Sequence, residues 1–259
     1  MWIPPWRIGT LGTLGNVVEV DPRFGIRWVM IPAGSIKTER GDVLTVARPF
    51  LMAETPVTQG QWIRVMSGQG LIANNPSYHK GDPNLPVESV TALEADEFSR
   101  RVGGRLPTEK EWEYAALGGQ EADPYGPILD IAWVIENSRG RTHPVRQKLP
   151  NAFGLYDMLG NVAHWTSTKE RGSYRVGRGG GFNDLAALVR SSDRGWGDPW
   201  YSVVVLGFRP VKDLPSTYGK TRVELLEMDE TKELPSVPGD SMRIRMLELD
   251  GIRTRQRRR

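Results

Sequence analysis

The spacing of apolar positions early in the chain predicts short β-strands. Residues 17–31, VVEVDPRFGIRWVMI, place β-branched and apolar side chains on both sides of a turn at 21–25 that contains Pro and Gly. This pattern is typical of a β-hairpin. The segment 32–34 (Pro-Ala-Gly) ends the hairpin, and residues 43–52 supply further strand material. We therefore expect antiparallel strands in this part of the chain.

Three short helices follow, and each has its own start signal. Thr58 precedes Gln61 by three residues, as in a capping box, and Trp62, Val65 and Met66 follow at helical spacing. The other two helices are predicted from the same kinds of signal, one from a cap at Ser89 or Thr91 to a stop at Gly103–Gly104 and one from Thr108 to Gly118–Gly119.

Regular patterns become sparse after residue 120. Residues 130–133 predict one short element, residues 152–165 indicate tight turns around buried aromatic side chains, and residues 175–211 return to strands and turns. The composition changes after Val211, so the sequence predicts a boundary near Asp213. The predicted parts are an N-terminal arm (1–16), a main domain (17–212) and a C-terminal extension with a basic tail (213–259), in which 222–228 and 242–249 predict two strands.

The composition indicates a loop-rich globular protein. Its 259 residues include 29 glycines, 19 prolines and nine tryptophans, and Gly and Pro punctuate short elements. Cysteine is absent, which excludes disulfides, thiolate metal ligands and cysteine nucleophiles. No apolar run approaches the roughly 18 residues of a membrane span, and the start lacks the basic and apolar regions of a secretory signal. We expect no membrane insertion and a cytoplasmic or phage-associated location.

The charge distribution does not predict a nucleic-acid surface on the fold. The terminal RTRQRRR holds five arginines, and removing them from the net charge of +3 leaves −2. A short basic end is typical of a solvated terminus. We therefore expect no specific nucleic-acid partner.

Four sequence segments are more informative about the family than the composition is. They are NNPSYHKGDPNLPVESVTALEADEF (74–98), GGRLPTEKEWEYAALGG (103–119), HPVRQKLPNAFGLYDMLGNVAHWTS (143–167) and RGGGFND…RSSDR…GFR (178–209). In this order they resemble the formylglycine-generating-enzyme family, a branch of the C-type lectin fold. The resemblance covers about residues 17–211 and implies an α+β fold with twisted antiparallel sheets, few helices and long loops.

The resemblance also implies which catalytic ligands to look for. Formylglycine formation in this family uses two cysteines on copper, and the matching positions fall near Ala186 and Ser191, neither of which supplies a thiolate. Related sulfoxide-forming enzymes hold iron with three histidines, two of them closely spaced, whereas His79, His143 and His164 are spread along this sequence. We therefore expect no catalytic residues, no bound cofactor and no enzyme activity.

Calcium is the other metal that the resemblance implies. Relatives carry a glutamate in Gly-Asn-x-x-Glu-Trp where this chain has His164, and a neutral imidazole is a poor ligand for this hard cation. Asn161 and Asn137 fit turn positions instead, so calcium stays open as a ligand without a predicted site. His79 is interpreted as a space-filling residue and His143 as part of a turn before proline.

Two further features have structural explanations. Glu109 and Glu113 share a helix face, but first-turn carboxylates usually complement the helix dipole and solvate the surface, so we expect no acid–base role for them. The glycines in 177–181 lack the Lys-Ser/Thr and strand-to-helix context of a phosphate loop. Close backbone packing is the expected reason for them.

The segment 178–209 is the predicted working site. Trp196, Trp200 and Tyr201 stand among Gly, Asp and Pro within six positions, so rigid aromatic area is carried on turn-forming backbone. We expect these aromatics at the surface, binding an unknown protein or glycan, whereas buried and exposed placements are both open for the valines at 203–205. The predicted ligand-binding residues are Phe182, Asn183, Asp184, Asp193, Trp196, Asp198, Trp200, Tyr201, Ser202, Val203, Val204 and Val205.

Large apolar residues occupy 200–205, where ordinary family members carry small polar residues, often asparagines. This resembles the variable proteins of diversity-generating retroelements, which use this fold and whose last motif segment is rewritten at adenine-containing codons. The sequence therefore predicts a non-catalytic, receptor-like protein with a diversified binding surface. The alternatives are a divergent metal-dependent enzyme of the family and a phage or structural assembly module that docks through its extension.

Overall fold

The computed structural model describes residues 17–67, 74–215 and 218. The chain divides into two compact units, Met1–Leu214 and Pro215–Arg259, and every element below belongs to the first. The predicted arm (1–16) and the strands predicted at 222–228 and 242–249 lie outside the described residues.

One four-stranded antiparallel sheet begins and ends the first unit. Its order is β1-β2-β5-β10, with β1 at Val17–Asp21, β2 at Ile26–Ile31, β5 at Phe50–Ala53 and β10 at Val211–Asp213. The predicted hairpin is confirmed, because β1 pairs with β2 and Gly25 (φ +69°) closes the turn by donating its N–H to the Asp21 carbonyl at 2.7 Å. Strand β10 continues through Asp213, one residue past the predicted end of the domain.

The stretch predicted as strand at 43–52 serves two sheets. Its first part, β4 (Val43–Val46), pairs with β3 (Gly34–Lys37) in a two-stranded sheet, while its second part is β5. Strand β3 has no counterpart in the sequence prediction, which ended the hairpin at Pro32–Gly34. It has only four residues, and Ile36 alone among them is buried, so it shows little apolar periodicity.

The third sheet carries the predicted working segment. Its order is β8-β7-β6-β9, with β6 at Ala163–Glu170, β7 at Tyr174–Arg178, β8 at Arg194–Gly197 and β9 at Leu206–Phe208. Strands β6 and β9 are parallel and the other pairs are antiparallel. Strand β8 is an edge strand of this sheet, so no strand of the described residues pairs with its outer side.

The three predicted helices are confirmed with their caps. They are α1 (Gln59–Met66), α2 (Ala92–Arg101) and α3 (Glu109–Leu117), and Thr58, Thr91 and Thr108 each form a capping box. Gly118 ends α3 in the left-handed conformation at φ +63°. Two four-residue helices follow, α4 (Ile128–Ile131), which overlaps the element predicted at 130–133, and α5 (Ile135–Ser138).

Two apolar clusters lie on opposite faces of the first sheet. Val29 and Met52 belong to one cluster, with Trp112 of α3, while Trp28 and Leu51 belong to the other, with the helices α1 and α2. Both faces of β2 and β5 are therefore covered, which explains why these strands read as continuous apolar runs. The second cluster also holds Trp165 and Phe208, so it supports the sheet that carries β8.

Candidate functional site

Trp196 lies on the outer edge of the third sheet. It pairs with Val176 across the β7–β8 ladder, yet 48% of its side chain is exposed. The guanidinium of Arg171 stands 5.1 Å from the centre of its indole ring, a cation–π distance. The edge strand thus presents a large aromatic surface beside a positive charge.

A turn at 198–201 presents two more aromatic side chains. Asp198 shapes it, because its side chain accepts the Trp200 N–H at 2.9 Å and its carbonyl accepts the Tyr201 N–H at 2.9 Å. Side-chain-to-backbone bonds of this kind are typical of aspartate in turns. Trp200 is 74% exposed and Tyr201 is 56% exposed, which confirms that the three aromatics lie at the surface. We call Trp196, Trp200 and Tyr201 the aromatic face.

The backbone beneath the aromatic face is anchored by three of its own carbonyls. Pro199 accepts the Ala92 N–H at 3.0 Å, Val203 accepts the Ser89 N–H at 3.1 Å, and Val205 accepts the Ala163 N–H at 2.7 Å. The chain at 199–205 is therefore tied to the start of α2 and to β6 while its aromatic side chains stay in solvent.

The valines take an intermediate position. Val203, Val204 and Val205 are all partly buried, and none of them lies in a strand. Val203 has no regular secondary structure, and Val204 and Val205 form a turn that precedes β9. Val203 packs against the second apolar cluster. Ser202, between the aromatic residues and the valines, is exposed.

Phe182 differs from its predicted role as a surface residue. Only 5% of it is exposed. Its N–H donates to the Asn161 carbonyl at 3.0 Å, and its own carbonyl accepts from the Ser138 hydroxyl at 2.8 Å. Its ring meets that of His79 edge to face, with 5.1 Å between centroids, so His79 packs as a space-filling residue. Phe182 is therefore a buried packing residue and not part of the exposed surface.

The remaining predicted residues, Asn183, Asp184 and Asp193, are exposed. Two of them are engaged by the backbone: the Asp184 carboxylate accepts the Gly181 N–H at 2.7 Å, and the Asp193 carboxylate accepts the Arg194 N–H at 2.9 Å. These acidic side chains shape turns as well as facing solvent.

Tyr78 is an exposed aromatic that the sequence analysis did not select. It is 77% exposed, and its ring packs edge to face on His79 at 5.1 Å. His79 in turn packs on Phe182, whose neighbour Gly181 lies against Val205. Contacts therefore run from Tyr78 to the segment 199–205, although 127 positions separate Tyr78 from Val205 in the sequence. The only local signal was one aromatic residue in a polar loop.

The carboxylates of α3 do more than solvate the surface. Glu113 pairs with Arg178, whose side chain is 2% exposed, and Glu109 pairs with Arg194 at 2.7 Å. Arg194 also reaches Glu170 at 2.9 Å. Burial raises the pKa of Glu113, and the charge of Arg178 opposes that rise. The expectation of plain solvation was wrong, because these residues tie α3 to β7 and β8 and hold the strand that carries Trp196.

His164 occupies the position where relatives carry a calcium-binding glutamate. It is fully buried, and its Nδ1 accepts the Trp112 indole N–H at 3.0 Å. Burial, with a smaller effect from the charge of Arg209, lowers its pKa well below the ordinary 6.5. A neutral, buried imidazole that already accepts a hydrogen bond does not suit calcium. The residues here do not fit this metal.

The residues at the positions of the family's copper ligands, Ala186 and Ser191, do not provide alternative metal ligands. The Ala186 N–H donates to Glu136, and the Ser191 N–H donates to the Asp123 carboxylate at 2.6 Å. Neither side chain is a metal ligand of the soft type that copper prefers. Within 17–67 and 74–215, no three or more His, Asp or Glu side chains are grouped so as to hold a metal ion.

Replacing His164 with Gln should flatten the dependence of stability on pH. In the wild type the unfolded histidine binds a proton below about pH 6.5 while the folded one stays neutral, so the free energy of unfolding falls as the pH falls through this range. Between pH 7 and 5.5 we expect the wild type to lose about 1 kcal/mol more than His164→Gln, measured by urea unfolding. Equal slopes for the two proteins would contradict a neutral buried His164.

The sequence profile of the Sulfatase-modifying factor enzyme 1-like domain matches residues 16–214. The chain belongs to this family. The formylglycine-generating enzyme of Streptomyces coelicolor is 32% identical over 54% of this chain and 56% of its own length. Chaperone protein LppX of Paenibacillus barcinonensis is 29% identical over 68% of this chain and 83% of its own. The serine/threonine-protein kinase pkn1 of Chlamydia pneumoniae is 34% identical, but this chain covers only 36% of it.

Solved structures confirm the fold. Treponema denticola variable protein 1 matches with a TM-score of 0.64 and 25% identity, covering 78% of this chain and 99% of that one. PvdO from Pseudomonas aeruginosa matches with a TM-score of 0.66 and 24% identity, covering 78% of this chain and 100% of that one. The predicted α+β C-type lectin fold with few helices and long loops is therefore correct. Its sheets were predicted to be antiparallel, and the pair β6–β9 differs because it is parallel. In the described part of the chain no helix has both the length and the apolar character that a membrane crossing requires.

Proposed function

We propose that this family member is a non-catalytic ligand-binding protein and that its aromatic face recognises the ligand. One observation carries the proposal: three large aromatic side chains are exposed on backbone that is hydrogen-bonded to the rest of the fold. Aromatic anchors contribute much of the binding energy in protein complexes. A backbone already fixed in place loses little entropy when a ligand binds.

The lack of the family's catalytic ligands supports a binding role. Formylglycine-generating enzymes are among the relatives, yet this chain has no cysteine, and Ala186 and Ser191 at the copper positions contribute only backbone N–H groups to the cited hydrogen bonds. The α3 carboxylates are held in ion pairs with arginines, so they do not form an acid–base pair. Recognition without transformation of the ligand is the function that these residues suit.

Similarity to a structure named a variable protein supports the further idea that the segment around 196–205 is diversified. The gene itself tests this part of the proposal. We expect a reverse-transcriptase gene nearby and a second copy of the coding segment that differs at adenines. Without either, the diversified origin is withdrawn and the binding role stands. A cytoplasmic or phage-associated location remains a prediction that fractionation can test.

An array experiment tests the binding role. The full chain, purified and fluorescently labelled, is applied to arrayed glycans and arrayed bacterial surface proteins, next to the triple variant Trp196→Ala/Trp200→Ala/Tyr201→Ala. We expect at least one glycan or protein signal that the triple variant loses while its thermal unfolding is unchanged. The same protein, incubated with copper and a cysteine peptide, should leave the peptide mass unaltered. Conversion of the cysteine to formylglycine would replace the proposal with the enzymatic alternative.

A further inference from the structure

A cleft on the fold shares no residue with the aromatic face. It has a volume of about 320 Å³ and lies between the β1–β2 turn, the start of α1 and the loops at 83–84 and 145–146. Its ionisable lining residues are Arg27, Glu54, Arg64 and Arg146. Three positive charges against one negative charge leave the cleft basic, although the chain without its terminal arginines is acidic overall.

A buried carboxylate positions two of the three arginines. The Glu54 side chain is only 2% exposed, and its Oε2 accepts the Nε–H of Arg27 at 2.8 Å and lies 3.4 Å from the Nε of Arg146. The Arg146 guanidinium also stands 5.0 Å from the centre of the Tyr156 ring. Both guanidinium groups are thus held through Nε, close to a carboxylate that cannot turn towards solvent.

The terminal nitrogens of Arg27 and Arg146 have no acceptor among the described residues. Both side chains are partly exposed in the cleft, at 30% and 41%. A guanidinium fork with two free N–H directions matches the oxygens of a carboxylate or phosphate group. In Arg64, by contrast, one terminal nitrogen is already used, because its Nη1 donates to the Phe24 carbonyl at 3.1 Å.

The start of α1 supplies no free backbone N–H groups. The N–H groups of Gln59 and Gly60 donate to the Leu85 and Pro83 carbonyls at 2.9 and 2.8 Å, and that of Gln61 donates to the Thr58 hydroxyl. The positively charged groups that can recognise an anion in this cleft are the arginine side chains. We propose that the cleft binds a small oxyanion, a carboxylate or phosphate group, through the forks of Arg27 and Arg146, with Arg64 adding charge.

Calorimetric titration of the full chain with inorganic phosphate and, separately, with succinate tests the cleft. In low-salt chloride buffer we expect saturable binding of at least one of them, and the one that binds identifies the source of the oxyanion. Arg146→Gln should weaken it by about tenfold or more, because a charged hydrogen-bonding partner is removed. Arg146→Lys keeps the charge but loses the guanidinium fork, so its affinity for the anion should lie between those of the wild type and Arg146→Gln.

Arg40→Gln is the matched control, since Arg40 is exposed and lies outside the cleft. It should bind as the wild type does. Thermal unfolding of Arg146→Gln, with Arg27 still paired to Glu54, should remain cooperative. The proposal is overturned if neither salt binds up to roughly 20 mM, if folded Arg146→Gln binds with wild-type affinity, or if Arg40→Gln weakens binding equally.

Discussion

Gly179→Ala is expected to lower the free energy of unfolding by about 3 kcal/mol or more. A Cβ at this position would lie 2.6 Å from the Met158 carbonyl oxygen and 2.8 Å from the Trp112 ring, and φ is +98°. Both the backbone conformation and the space exclude a side chain. The neighbours are a main-chain atom and a fully buried tryptophan, so neither can move away at low cost. Urea unfolding followed by tryptophan fluorescence measures the effect.

Gly195→Ala is the matched control for that substitution. Gly195 lies on β8, within the segment 178–209 that also contains Gly179, and a Cβ there would meet no atom within 4 Å. Its φ lies outside the left-handed region, so alanine should change stability by less than about 0.5 kcal/mol. Similar losses for both variants would contradict the interpretation of Gly179 as a close-packing position. A stable Gly179→Ala protein would contradict it as well.

Trp200→Ala should weaken ligand binding by about 30-fold, or about 2 kcal/mol, without changing stability. Trp200 is the most exposed of the three aromatics at 74%. Its backbone is fixed by the Asp198 side chain rather than by its own ring, so truncation removes contact area and leaves the turn intact. The affinity for the ligand found on the array is measured by surface plasmon resonance, with thermal unfolding recorded in parallel.

Val43→Ala provides the comparison for Trp200→Ala. Val43 is also exposed and apolar, at 64%, but it lies on β4 in a different sheet. We expect its affinity to match that of the wild type. Equal weakening by both substitutions would point to a general loss of apolar surface. An unchanged affinity for Trp200→Ala would remove it from the recognition surface.

Features that depend on neighbouring positions could be predicted from the sequence. The capping boxes at Thr58, Thr91 and Thr108 involve residues three positions apart. Both hydrogen-bonding residues of each box are therefore visible in one short stretch of sequence. Ser89 was the competing cap for α2, but it adopts a φ of +59° and precedes the helix. The exposure of Trp196, Trp200 and Tyr201 was also predictable, because turn-forming residues surround them.

Features that depend on distant partners could not be predicted. Phe182 resembles its neighbours in the segment, yet its burial depends on His79, about a hundred positions earlier. Glu113 pairs with Arg178 across 65 positions, so the local sequence around this helical carboxylate gave no sign of its buried partner. The anion cleft likewise combines Arg27, Glu54 and Arg146, which share no motif.

The central claim is that a fixed framework holds a replaceable recognition surface. Its most direct test is a displayed library of the full chain in which Trp200, Tyr201 and Ser202, all exposed, are randomised together while Asp198, which fixes the turn, is kept. Each member is scored for protease resistance and for binding to the array-identified ligand. We predict that most members resist protease as the wild type does and that nearly all lose the ligand. Widespread unfolding, or binding that persists across the library, would contradict the claim.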